Sequence, residues 1–211
     1  RIRPDIIHLN GAENPYYSST ILGLMNFDIP ICTLIQGVIS DPQLLQYGKA
    51  DLYRIKLERE IHSKVKYFFV GDPNHFNLVK RDNSKAIFLF RPEIRTINID
   101  IKQGNKEKIY DFVFFARITQ TKGIEHLIEA VSKLKNEYSD ISLLVLGPCS
   151  KSYQEYLLQL CNNKGLANNI TYGGYIQKRE DLFRRALTAK IYVLPTLIEG
   201  LATSAVEAML L

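Results

Sequence analysis

Two pairs of charged side chains have the types and spacing on which chemistry can be built. Glu199 and Glu207 lie in the segment IYVLPTLIEGLATSAVEAMLL, from Ile191 to Leu211. Its apolar start, Ile191 to Pro195, predicts a buried strand. A short loop carries Glu199 and Gly200, and helix formers from Thr203 onward predict a helix. In open parallel sheets, ligands bind past the carboxyl ends of strands, where helix N-termini present free N–H groups and a positive dipole end. A helix rising about 1.5 Å per residue keeps Glu207 within two turns of that edge, so both carboxylates can face one ligand. Arg117 and Lys122, in FARITQTKG, likewise follow a predicted strand and precede a predicted helix. The plainer alternatives are two glutamates that favour a helix dipole and a solvated basic loop.

The wider motifs carry a resemblance. P-T-L-I-E-G-L-A-T-S-A-V-E-A-M resembles the donor-sugar signature of retaining GT-B glycosyltransferases, in particular glycosyltransferase family 4, and F-A-R-I-T-Q-T-K-G resembles that family's G-R-L-x-x-x-K-G segment. The resemblance implies that Glu199 touches the transferred sugar and that Glu207 binds the ribose hydroxyls. It gives the diphosphate to backbone amides from Gly200 through Leu201 and Ala202 to Thr203. Arg117 and Lys122 would offset the charge that grows on the leaving phosphate. Ala202 stands where the family often has proline, and Ala116 where it has glycine; neither change removes a functional group. Gly173-Gly174-Tyr175-Ile176 resembles the turn beside the nucleotide base, with a simple tight turn as the alternative. Pro4-Asp5-Ile6-Ile7-His8 resembles the P-D-I-I-H strand of the acceptor-side domain. Gln36-Gly37 occupies the place of a His-Gly pair facing the acceptor, and the glutamine removes a titratable group. Glu13, after the first strand, is an acceptor-side candidate or a surface carboxylate.

Composition narrows the classes. The 211 residues are 46% hydrophobic, enough for a buried core in one domain or two. A net charge of +5, from 27 basic and 22 acidic residues, is a mild excess that selects no nucleic-acid partner. Cys32, Cys149 and Cys161 are widely spaced without C-x-x-C, which points away from a disulfide framework or zinc site and toward a reducing cytosol. No stretch approaches the roughly 18 apolar residues of a membrane helix. His8, His62, His75 and His126 show no paired metal spacing, and His8, on an apolar strand, reads as a core residue. There is no D-x-D, no G-x-S-x-G, no G-x-G-x-x-G and no Walker loop. The expectation is therefore no cofactor and no metal, with Arg117 and Lys122 in the metal's place.

The elements that position these residues alternate in type. Strands are predicted at 5–9, 30–35, 67–70 and 86–90, with helices at 15–26, 53–66 and 74–81. The second helix should have a wet, basic face opposite Ile55, Leu57, Ile61 and Val65. The charges from Lys49 to Lys66 read as solvent-facing, with peripheral contact to an anionic membrane as the alternative. Residues 95–108 are polar and aperiodic and form a domain junction. The pattern restarts with strands at 110–116, 141–147 and 170–172 and helices at 123–138, 152–162 and 179–187, and then reaches the segment of the two glutamates.

The expected class is α/β, GT-B, with two Rossmann-like parallel-sheet domains. Residues 1–98 would be the second half of the acceptor-side domain, and 106–211 the first part of the nucleotide-sugar donor domain. Both are read as incomplete, because the chain starts in a strand and stops in mid-helix. The expected activity is metal-independent transfer of a sugar from a nucleotide-diphosphate sugar to a saccharide or lipid-linked acceptor with retention, in the cytoplasm or at the inner face of its membrane. The rivals are a catalytically inactive GT-B protein that binds nucleotide sugar or a partner, and a nicotinamide oxidoreductase, which the missing glycine fingerprint disfavours.

Overall fold

A computed structural model describes residues 4–12, 19–42, 45, 51–90, 107–197, 199 and 202–211. The predicted junction at 95–108 lies largely outside these residues, as do Glu13, Gly200 and Leu201. The chain divides into two compact units, Arg1–Ile94 and Arg95–Leu211.

The first unit alternates β1 (Ile7–Asn10), α1 (Thr20–Leu24), β2 (Ile31–Ile35), α2 (Leu52–Lys64), β3 (Tyr67–Val70), α3 (Pro73–Asp82) and β4 (Ile87–Phe90). The strands are all parallel and ordered β1-β2-β3-β4. Leu9, Thr33, Phe68 and Phe88 stand in register and share one face, where Ile31, Ile35, Phe68 and Val70 pack with Leu57 and Ile61 of α2 and Leu78 and Val79 of α3. Side chains alternate along a strand, so the opposite face carries His8, Tyr67, Phe69, Ile87 and Leu89. Ile87 and Leu89 are exposed there. His8 is exposed too, with its ring 5.6 Å from that of Phe69, and is not the core residue its apolar strand suggests. The reason is the face it occupies: a period of two gives His8 to the side opposite the buried cluster.

Helix α2 has Asp51 as its N-cap, whose carboxylate accepts from Tyr53 N at 2.9 Å, and α3 starts with Pro73 after the Asp72 cap. The predicted apolar stripe of α2 is there, but Glu58 and His62 are buried beside it. The Glu58 carboxylate accepts hydrogen bonds from Ile39 N at 2.8 Å and Ser40 N at 2.9 Å, tying down the turn after β2. His62 Nδ1 lies 3.0 Å from Asp82 Oδ2, and Arg59 and Arg81 donate to the same carboxylate. Burial raises the pKa of Asp82, but the bonds from His62 and Arg81 outweigh it and hold the carboxyl well below its usual range.

The second unit contains β5 (Tyr110–Phe115), a 3-10 turn (Gln120–Lys122), α4 (Ile124–Leu134), β6 (Leu143–Leu146), α5 (Lys151–Asn163), β7 (Ile170–Gly174), α6 (Arg179–Ala186), β8 (Ala189–Tyr192) and α7 (Thr203–Leu210). The sheet is again parallel, but its order is β7-β6-β5-β8. Phe114, Leu143 and Val145 pack on one face with Leu127, Ile128 and Val131 of α4 and Leu157 of α5. Val113, Phe115, Leu144 and Leu146 pack on the other with Phe183 and Ala186 of α6. Both faces are covered, which explains the unbroken apolar runs FVFF and LLVL.

Several boundaries depart from the sequence reading, among them the end of α4 at Leu134 rather than 138 and two near the glycine and glutamate motifs. β8 starts at Ala189 and ends at Tyr192, earlier than the predicted 191–195, and it includes Lys190, whose half-exposed side chain reaches Asp111 Oδ1 at 2.7 Å. Val193 and Leu194 then pack against the core from the loop. Gly173 and Gly174, expected to form a turn after a strand, instead end β7 itself, with a register shift opposite Leu146 and a φ of +69° at Gly174.

Candidate functional site

The strand order of the second unit dictates where a ligand can bind. The chain leaves β5 toward β6 and β7, then returns to place β8 on the other side of β5. The loops after β5 and β8 therefore diverge across a topological switch point, and such crevices receive ligands in doubly wound sheets. Arg117 and Lys122 lie in or at the end of the first of these loops, and Glu199 in the second.

Backbone contacts hold the two loops together. Leu197 N donates to Thr121 O at 2.8 Å, and Thr196 Oγ1 donates to the same carbonyl at 3.1 Å. Gly123 is left-handed at φ +74°, and a Cβ built there would lie 1.8 Å from Pro195 O. Only glycine admits this approach without displacing backbone. Lys122 is thereby brought to Glu199, and its Nζ pairs with Glu199 Oε1. Lys122 is thus held by a carboxylate of its own chain, a pairing that sequence spacing does not reveal. Arg117 is exposed and has no charged partner among the described residues.

Glu207 sits one level deeper. Its side chain is 5% exposed, against 20% for Glu199, and it accepts from Arg179 of α6. A cavity of about 130 Å³ opens beside it, lined by residues including Phe115, Ala116, Gly147, Tyr175, Ile176, Ser204 and Glu207. The strand ends meet closely there: a Cβ on Gly147, φ +144°, would lie 1.8 Å from Ala116 O. The missing side chain of Gly147 is what lets the two backbones approach. Tyr175 is exposed at 67%, whereas Ile176 packs against the core, and both line the cavity.

The start of α7 has no side-chain cap, since Ala202 offers no acceptor. Its first-turn N–H groups are the kind that anions satisfy. Tyr192 Oη donates to Ser204 Oγ at 2.8 Å and fixes that turn to the sheet, and burial pushes the Tyr192 phenol up to about 12. The structure therefore gathers Glu207, Tyr175 and Ile176 around one cavity and pairs Lys122 with Glu199 in the adjoining loops, while Ala202 and Thr203 begin the helix. In the first unit, Gln36 is exposed after β2 and Gly37 is half-buried. Among the described residues, no three His, Cys, Asp or Glu side chains cluster closely enough to hold a metal ion.

Arg179 and Tyr192 escaped the sequence reading. Arg179 left one signal, a cation in the first turn of a helix, where the dipole disfavours it. Tyr192 left none, because a tyrosine ending an apolar strand is ordinary.

The second unit is thus a doubly wound α/β unit with acidic and basic side chains paired at its switch point. The family model "Glycosyl transferases group 1" matches residues 96–211, and the chain belongs to that family. It is similar to the capsular polysaccharide biosynthesis glycosyltransferase CapH of Staphylococcus aureus, at 23% identity over 97% of this chain and 56% of CapH. Among solved structures it is similar to sucrose-phosphate synthase from Thermosynechococcus elongatus, with a TM-score of 0.74, 19% identity and coverage of 97% of this chain and 53% of that one. It is also similar to HepE of Anabaena, crystallised with UDP and glucose, with a TM-score of 0.72, 14% identity and coverage of 98% and 57%. The fold class is GT-B, with two sheets of four parallel strands. The chain spans about half the length of these relatives.

Proposed function

We propose that this chain forms part of a retaining glycosyltransferase that moves a sugar from a nucleotide-diphosphate sugar to a saccharide or lipid-linked saccharide acceptor without a metal ion. The observation that carries this reading is the placement of Lys122, Glu199 and Glu207 around the switch point of the unit that the family model matches. The base and ribose would enter the cavity beside Tyr175 and Ile176, with the ribose hydroxyls on Glu207. The diphosphate would lie across the start of α7, on the amides of Gly200, Leu201, Ala202 and Thr203, within reach of Arg117 and Lys122. Glu199 would accept from the hydroxyls of the transferred sugar.

In this reading an acceptor hydroxyl attacks the anomeric carbon from the face that the diphosphate leaves. The carbon–phosphate oxygen bond breaks, the electron pair goes to the diphosphate, and the acceptor proton passes to a phosphate oxygen. Lys122 then shares its charge between Glu199 and the phosphate as negative charge grows there, which lowers the barrier because the cation is already in place. The loops after the first unit's strands, with Gln36, Gly37 and Glu13, would present the acceptor. The basic α2, with Leu52 and Tyr53 exposed at 80% and 70%, would permit peripheral contact with the cytoplasmic face of a membrane.

The test uses the full-length protein and a panel of nucleotide sugars. One donor should raise the melting temperature, since a ligand at 100 times its Kd adds about 2.7 kcal/mol. NMR of the product should report the donor's own anomeric configuration, and EDTA should leave turnover unchanged. An inverted product would overturn retention. Loss of turnover in EDTA, restored by a divalent ion, would overturn metal independence. If no donor protects or reacts, the glycosyltransferase reading itself fails.

A further inference from the structure

A carboxylate as buried as Glu207 needs a partner, because an unpaired charge out of water is costly. Its partner Arg179 is held at two points. The guanidinium carbon lies 5.3 Å from the Phe183 ring centroid, one helical turn along α6, and the same guanidinium donates to Glu207 Oε1. Phe183 is fully buried, so the surface beneath the guanidinium is fixed.

The position of Arg179 makes little sense for its own helix. It opens α6, where the dipole favours anions, and Glu180 and Asp181 already supply them. A cation there loses with respect to its helix and gains only through what it reaches. What it reaches is the one acidic side chain among those lining the cavity. The hydrogen bond between Tyr192 and Ser204 steadies the same turn of α7 from the sheet side.

From this geometry we infer that Arg179 is a positioning residue for donor binding: it holds the Glu207 side chain aimed at the cavity, and acts on the nucleotide through that carboxylate. The inference rests on the reading that Glu207 receives the ribose. Ribose contacts are equal in ground and transition states, so their loss affects KM rather than kcat. In the full-length enzyme Arg179→Ala should raise donor KM about tenfold, a change of 1.4 kcal/mol, with kcat unchanged. Arg179→Lys should recover part of the loss, since it keeps the charge but not the planar fork.

A double-mutant cycle separates action through Glu207 from direct contact with the nucleotide. If Arg179 acts through Glu207, the Arg179→Ala/Glu207→Gln protein should bind donor no worse than Glu207→Gln alone, measured as KM and as nucleotide Kd by calorimetry. Multiplying losses would overturn the inference, as would an unchanged KM in Arg179→Ala beside a raised one in Glu207→Gln. Should Arg179→Ala fail to fold, the cycle is run with Arg179→Lys against the same criteria. If Glu207→Gln leaves donor affinity untouched, the ribose assignment fails and the inference falls with it.

Discussion

The two units share an architecture and use their charges in opposite ways. In the first, the chain steps across the sheet in order, β1 to β4, and no switch point arises among the described strands. Three of its acidic side chains turn inward: Glu58 caps the turn after β2, Asp82 is shared by His62, Arg59 and Arg81, and Asn74 donates to Asp41 at 2.9 Å. In the second, the order reverses at β5. Glu199 and Glu207 stand at the reversal, paired with Lys122 and Arg179 beside a cavity. A polar group that closes a loop stabilises the fold; one that lines a cavity at a switch point remains addressable by a ligand. Topology, more than composition, separates the two.

The sharpest way to break this contrast is at Gly123. Gly123→Val places a side chain against Pro195 O and forces a β-branched residue into a left-handed conformation, at a cost of about 1–3 kcal/mol. The loops after β5 and β8 should separate and donor turnover should fall below detection. Near-wild-type turnover in this variant would show that the pairing of these loops is dispensable.

A smaller effect is expected from the cations. Lys122→Ala and Arg117→Ala should each remove a charge-assisted contact of about 1.5–3 kcal/mol, or roughly ten- to a hundredfold in kcat at 1.4 kcal/mol per decade. Glu199→Gln should lower kcat with little change in donor KM, the reverse of the pattern expected at Glu207. Steady-state kinetics with the cognate donor decides this, and a pure KM effect at Glu199 would remove it from the reacting sugar.

The inward charges of the first unit should show themselves in acid. Because the carboxyl of Asp82 is held below the usual aspartate value, its contribution is complete above about pH 4, near the unfolded pKa, and fades as the pH falls further. Asp82→Asn should cost about 1–3 kcal/mol at neutral pH and flatten the acid limb of the stability curve. Urea melts from pH 7 down to pH 3 measure both, and a parallel shift at every pH would show that Asp82 does not titrate with folding. The smallest effect is expected at β8. Lys190 is more than half exposed, so Lys190→Ala should cost about 0.5 kcal/mol, fading with salt.

Much of this was legible in the sequence, for local reasons. Short apolar runs such as FVFF and LLVL, rich in β-formers and bounded by polar or turn residues, read as buried strands, and the periodic apolar set from Ile124 to Val131 reads as a helix against them. Alternation of the two implies parallel sheets. The resemblance of two motifs to a known family, together with their place after predicted strands, singled out Arg117, Lys122, Glu199 and Glu207, and the structure places Lys122 beside Glu199.

Only the tertiary structure decided which charges meet. Arg179 lies 28 positions from Glu207, and Lys122 lies 77 from Glu199. No local pattern specifies such pairs; they follow from strand order, which brings distant loops together. The same holds for Glu58 and His62, which read as part of a solvated helix and are buried, and for His8, which reads as core and is exposed. Periodicity tells which residues share a face. What covers that face depends on the packing of elements far apart in the chain, and a single segment does not contain that information.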